Sequence, residues 1–127
     1  MAFSAIIKPQ DYFSTKLYDG NGQSTHAITG VGFQPDWVWI KKRSASGSHN
    51  LVDAVRGVQK ALEANSNGVQ GTYSNNLSAF GTDGFTVGSG SLVNDNGQNY
   101  VAWNWKANGA GSANSDGSVS STVSANT

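Results

Sequence analysis

Asn-Gly and Asp-Gly dipeptides break this chain at short intervals: Asn21-Gly22, Asn67-Gly68, Asp83-Gly84, Asn96-Gly97 and Asn108-Gly109. Such pairs supply the positive φ angles that tight turns between strands require. The pieces between them are short and rich in β-branched and aromatic residues, the pattern of an all-β sandwich or barrel. Strands are expected near residues 12–18, 25–31, 36–42, 78–80, 85–88 and 99–106.

A length of 127 residues makes one domain. The hydrophobic share of 37% looks low for a core, yet the chain has 16 Gly and 4 Tyr. Counted with glycine and without tyrosine, the apolar share is about 47%, ordinary for a globular domain. Eight basic side chains balance eight acidic ones. A neutral chain offers no electrostatic footprint for nucleic acid or for an anionic membrane. Without cysteine there is no disulfide, thiolate zinc site or cysteine nucleophile. The start lacks the charged region and long apolar run of an export signal, and no apolar run approaches the length of a membrane span.

Residues 37–40, Trp-Val-Trp-Ile, are apolar at every position, so a central strand covered on both faces is expected there. In 99–106 the residues alternate: Val101, Trp103 and Trp105 share one face, Tyr100, Ala102 and Asn104 the other. Phe80 and Phe85 flank Gly81-Thr82-Asp83-Gly84 as a hairpin pinned by two rings. The expected core is therefore Trp37, Trp39, Ile40, Phe80, Phe85 and Val101.

Residues 50–64 read two ways. Leu51, Val55, Val58 and Leu62 recur at helical spacing, with Asn50 placed as an N-cap. Gly57 sits mid-segment, however, and the same residues divide equally well into two strands turning at Arg56-Gly57. Residues 1–11 form an N-terminal arm, 12–106 the sandwich domain, and 107–127 a Gly/Ser/Asn-rich tail of linker composition. The tail is extended and polar, and contact with a neighbouring subunit is expected to order it.

The run from Gly30 to Lys41 (GVGFQPDWVWIK), that from His49 to Gly57, the segment from Phe80 to Gly88, and the run from Tyr100 to Lys106 (YVAWNWK) carry a combined signature. Together, over about residues 12–123, they resemble a β-rich domain found, often in tandem, in tail-fibre and other virion-surface proteins of marine bacteriophages. The resemblance implies a lectin-like jelly-roll sandwich and favours strands for 49–64. It also implies a structural or attachment role on a tail, fibre or capsid surface, with no catalytic residues to carry over. Homo-oligomerisation, contact with other virion proteins and location on the virion surface follow from the same likeness.

Two Trp pairs, Trp37/Trp39 and Trp103/Trp105, are the main binding candidates, because indoles on a sheet can stack on sugar rings or on a neighbouring subunit. Trp37 and Trp39 are assigned to the core. Trp103 and Trp105, with Asn104, Asp95 and Asn96, are assigned to a host-surface glycan contact or a subunit interface. Asp19 to Gly22 and Asn94 to Gly97 carry oxygen ligands at the short spacing a calcium ion needs. Neither completes a calcium loop, so Asx turns are the preferred account and no metal or cofactor is expected.

Catalysis is poorly provided for. Ser48, His49 and Asp53 include the residue types of a triad without a surrounding nucleophile motif. A glycan-cleaving enzyme would need two carboxylates across a cleft, Asp36 or Asp53 with Glu63, the only Glu. His26 and His49 make a poor zinc site without thiolates. Asp53 and Arg56, flanked by Val52 and Val55, are read as a structural ion pair.

Overall fold

The computed structural model describes residues 8–107 and 112–123. Its described part is an all-β antiparallel sandwich. A four-stranded sheet runs in the order β1 (Phe13–Asp19), β9 (Asn99–Trp105), β3 (Trp37–Lys42) and β4 (Asn50–Asp53). A three-stranded sheet, β2 (His26–Thr29), β8 (Gly84–Val87) and β7 (Leu77–Gly81), packs against it. Two short ribbons complete the chain: β5 (Lys60–Ala61) with β6 (Gly71–Thr72), and β10 (Ser112–Asn114) with β11 (Ser121–Val123). One helical turn, α1 (Ser91–Asn94), closes an edge of the core, and a 3-10 turn at Pro9–Asp11 precedes β1.

The core lies between the sheets. Val38, Ile40, Val52, Tyr100 and Ala102 from the larger sheet meet Ile28, Leu77, Phe85 and Val87 from the smaller, with Val93 of α1 and Ala61 of β5. Each large apolar side chain fully buried here stabilises the fold by roughly 1.5–3 kcal/mol. Tyr18 and Tyr100 stack at 5.2 Å, and their hydroxyls donate to the carbonyls of Val93 and Ser91 at 2.7 and 2.9 Å. Burial raises the pKa of both phenols, most strongly at Tyr18, where the Tyr100 ring adds to the effect.

Buried polar groups tie the two layers together. Asn50 on β4 and Asn76, just before β7, exchange two amide hydrogen bonds of 2.8 Å, and the Asn76 carbonyl oxygen also accepts from the Leu77 N–H. Both residues are almost fully buried, so each lost partner would leave an amide without water to replace it. The β7–β8 hairpin places Phe80 opposite Phe85 and Gly81 opposite Gly84, with Thr82 and Asp83 in the turn. Gly84 has φ 145°, and a Cβ there would stand 2.0 Å from the Ile28 carbonyl oxygen. Only glycine allows β2 to pair so closely at that point.

The structure decides one open reading and changes two expectations. First, residues 50–64 are strand, turn and strand, the reading that the resemblance favours: Leu51 bridges Leu62, while Val55 is 97% exposed and Gly57 adopts φ 92°. The helical spacing has no apolar surface to meet, and pairing with β3 holds Asn50–Asp53 extended. Second, β3 is covered on one face only. Val38 and Ile40 point inward, but Trp37 is 36% exposed and Trp39 is half-buried on the opposite face, so neither belongs to the core. Third, residues 112–123 of the tail form the β10–β11 hairpin rather than an extended linker. Residues 1–7 of the arm and 108–111 and 124–127 of the tail lie outside the described residues.

Candidate functional site

Strand register decides where the tryptophans go. With Val38, Ile40, Tyr100 and Ala102 turned inward, the period of two turns Trp37, Trp39, Trp103 and Trp105 to the outer face of the four-stranded sheet. Cross-strand pairing then sets them in rows. One row runs Phe13, Trp105, Trp37, Asp53; the next runs Thr15, Trp103, Trp39, Leu51; a third runs Leu17, Val101, Lys41.

In the first row Phe13 leans on Trp105 at 5.0 Å, and Trp105 stacks on Trp37 at 4.4 Å with 24° between the planes. In the second row Trp39 meets Trp103 edge-on at 5.4 Å. The Trp39 indole N–H donates to His49 Nδ1 at 2.9 Å, which leaves the proton of a neutral His49 ring on Nε2. The indole N–H groups of Trp37, Trp103 and Trp105 meet no hydrogen-bond acceptor among the described residues. Phe13 is 40% and Leu17 58% exposed, and Val101 is buried beneath its larger neighbours. No described element covers this face.

A cavity of about 350 Å³ opens at the end of the first row, lined by Asp36, Trp37, Asp53, Val55, Trp105, Lys106 and Ala107. The Asp36 carboxylate accepts from the Ala107 N–H at 2.7 Å. Asp53 accepts from the Arg56 N–H at 2.8 Å and from the Arg56 guanidinium, which also donates to the Leu51 carbonyl at 3.2 Å. About a quarter of each side chain in this pair is exposed. A second cavity, of about 420 Å³, lies between the chain from Thr72 to Asn76 and that from Gly90 to Val93.

The cluster assigned from sequence comes apart. Trp103 and Trp105 are on the outer face, but Asn104 points inward and is fully buried. Its amide donates to the carbonyls of Ser14 and Ala102, both at 3.1 Å, and its own oxygen has no partner. Neighbours in a strand point to opposite faces, so Asn104 cannot share a ligand with Trp103 and Trp105. Asp95 and Asn96 lie in the turn before the opposite end of β9. There Asp95 pairs with Lys42 at 3.2 Å, and Gly20 and Gly22 pack against the turn.

Buried Asn94 organises that end, accepting from the Asn21 N–H at 2.9 Å and donating to the Asn21 side chain and the Gln23 carbonyl. The two Asx-rich segments thus bond to each other, and among the described residues no three His, Asp or Glu side chains gather as a metal site. His26 contacts Asn94 at 2.9 Å, far in sequence from His49. Glu63 accepts from the Tyr73 hydroxyl at 3.4 Å and does not line the cavity that Asp36 and Asp53 share.

Sequence reasoning missed Phe13, Lys106 and the alignment of all four indoles. Two alternating strands, 37–42 and 99–105, each with Trp at i and i+2, carried the signal, but only the register shows that both pairs fall on one face. No curated protein and no solved structure matches the chain. Over residues 8–127 the sequence matches the family described as Domain of unknown function (DUF7483), and the chain belongs to that family.

Proposed function

We propose that this domain is a non-enzymatic interaction module of a bacteriophage virion surface, part of a tail, fibre or capsid, that holds its partner on the outer face of the four-stranded sheet. The observation that carries the reading is the set of four indoles and Phe13 aligned there in two rows of ring contacts, partly exposed. Aromatic side chains supply large contact area at low entropic cost, and they are enriched in contact surfaces relative to the rest of a protein's exterior. The resemblance to phage virion-surface domains supplies the setting. Asp36 and Asp53, the two carboxylates beside the patch, are engaged by N–H donors, an arrangement that suits holding a ligand.

Copies of the domain join along β1. This strand presents seven residues at the edge of the larger sheet, and its second side faces no described strand. A free edge of this length is a template for a strand from a neighbour.

Particles carrying Trp37→Ala with Trp105→Ala test the reading. Assembly or adsorption to the host falls at least about ten-fold if the face is a contact surface. Normal particle yield with normal adsorption would overturn it.

A further inference from the structure

Resting on that reading of the aromatic face, we infer that the cavity at the end of the first row is a binding site for an uncharged pyranose sugar, seated on Trp37.

Three observations lead there. The first is which ring is free. Trp105 lies between Phe13, which leans on it at 51°, and Trp37, which stacks on it, so it has a ring on either side in the row. Trp37 stacks on Trp105 with one face only, and the residue beyond it in the row is the short Asp53, turned to Arg56. Trp37 lines the cavity together with Asp53, its neighbour on the side away from Trp105. A flat indole face next to an open volume fits the C–H face of a pyranose ring, as other apolar groups fit aromatic rings.

The second observation is the polar rim. Asp36 uses one acceptor position on the Ala107 N–H, and a carboxylate has about four. Asp53 lies on the same wall, and exposed Lys106 brings three N–H donors. Acceptors and a donor around an apolar floor match the hydroxyls that ring a sugar. The charges of Asp36 and Asp53 are balanced by Lys106 and Arg56, so the site is neutral overall and favours an uncharged saccharide over a sialylated or sulfated one.

The third is size. Four strands about 4.8 Å apart and three rows of outward side chains make a patch roughly 15 Å on a side, on the order of 200–300 Å². A stable protein interface buries about 800 Å² per partner. The patch is too small to hold a second copy of the chain by itself and suits a short oligosaccharide. The β-gluco configuration, with axial C–H bonds on both ring faces and equatorial hydroxyls at the edge, fits a floor of indole with polar groups beside it.

The experiment is a titration of the full chain with cellotetraose and, separately, chitotetraose, read on the indole N–H signals in proton–nitrogen correlation spectra. Saturable shifts are expected at Trp37 and Trp105. Trp37→Ala should weaken binding at least about ten-fold, and Asp36→Asn several-fold, with melting unchanged for the latter. Trp39→Phe, in the neighbouring row, should bind as the parent does. No shift with either saccharide at saturating concentration, or shifts that survive Trp37→Ala, would overturn the inference. If Trp37→Ala fails to fold, Asp36→Asn and Lys106→Ala decide it, since sugar binding unaffected by both also overturns it. Indole shifts that follow protein concentration alone, together with a dimer in sedimentation, would overturn the sugar and leave the interaction module standing.

Discussion

The two faces of the four-stranded sheet are built from the same strands and differ in what they bury. The inner face carries Val38, Ile40, Tyr100 and Ala102, but also Asn50 and Asn104, all essentially inaccessible. The outer face carries four Trp, Phe13 and Leu17, and leaves most of them half-exposed. By hydrophobicity alone the outer face should be the core. Burial is instead assigned by which face meets the second sheet, and polar groups on that face are kept by finding partners, as Asn50 does with Asn76. Among the described residues, the outer face thus carries more aromatic surface than the core, and no described element covers it.

Stability measurements should separate the faces. The largest effect is expected inside: Ile40→Ala removes a fully buried side chain and should cost about 2–5 kcal/mol, seen as a lower denaturation midpoint at unchanged denaturant slope. A cost below about 1 kcal/mol would mean that the sheets do not close on Ile40. Next comes the rim, where Arg56→Ala breaks the pair with Asp53 and removes the guanidinium bond to the Leu51 carbonyl, which keeps the Leu62 N–H. The pair keeps about a quarter of its surface in water, so the expected loss is about 1–2 kcal/mol, less than a fully buried pair would show.

On the outer face, Trp39→Ala should cost about 1 kcal/mol, because the ring is half-buried and gives up one hydrogen bond to His49. Near-ultraviolet circular dichroism should change far more than the melting temperature does. A loss as large as that of Ile40→Ala would erase the distinction between the faces.

The smallest effect concerns Asp83, in the β7–β8 turn. Its carboxylate accepts from the Gly32 and Gly30 N–H groups at 2.7 and 2.9 Å, and these two bonds hold its pKa below the ordinary value of 3.8. A lowered folded-state pKa contributes stability that is complete above the unfolded value and is lost as pH falls through the folded one. Asp83→Asn should thus lower the midpoint slightly at neutral pH, with the two proteins converging below the usual carboxylate range. A constant difference down to strongly acidic pH would show that the loop contact does not depend on charge.

Much of the architecture was legible in the chain. Glycine behind Asn or Asp marked the ends of strands, and the Phe80/Phe85 hairpin could be read to its turn. The local pattern of 50–64 was ambiguous, because Leu51, Val55, Val58 and Leu62 satisfy a helical period by coincidence; the resemblance favoured strands, and pairing of β4 with β3 is what holds them. The candidate site was legible in its tryptophans, but not in Phe13, Lys106 or its arrangement. Alternation in 99–106 separated Trp103 and Trp105 from Asn104, yet it could not say which set faces the core. That choice rests on partners distant in sequence: β1 on one side and β3 on the other. Asp36 and Lys106 reach the cavity only because the chain enters β3 and leaves β9 at the same end of the sheet.

The pairing of β1 with β9 also has a mechanical consequence. Phe13 sits opposite Trp105, and just outside them the Lys106 N–H donates to the Tyr12 carbonyl at 2.9 Å, so the chain enters and leaves the sandwich side by side. A pull applied at residues 12 and 106 opens this junction like a zip, breaking one rung at a time from Phe13/Trp105 inward. The same pull applied at Asp19 and Trp105, on opposite ends of the pair, loads all the rungs together and should meet a much higher force. Under tension along its chain the domain would yield first at the row that carries Trp105 and Trp37, disassembling its aromatic platform before its core.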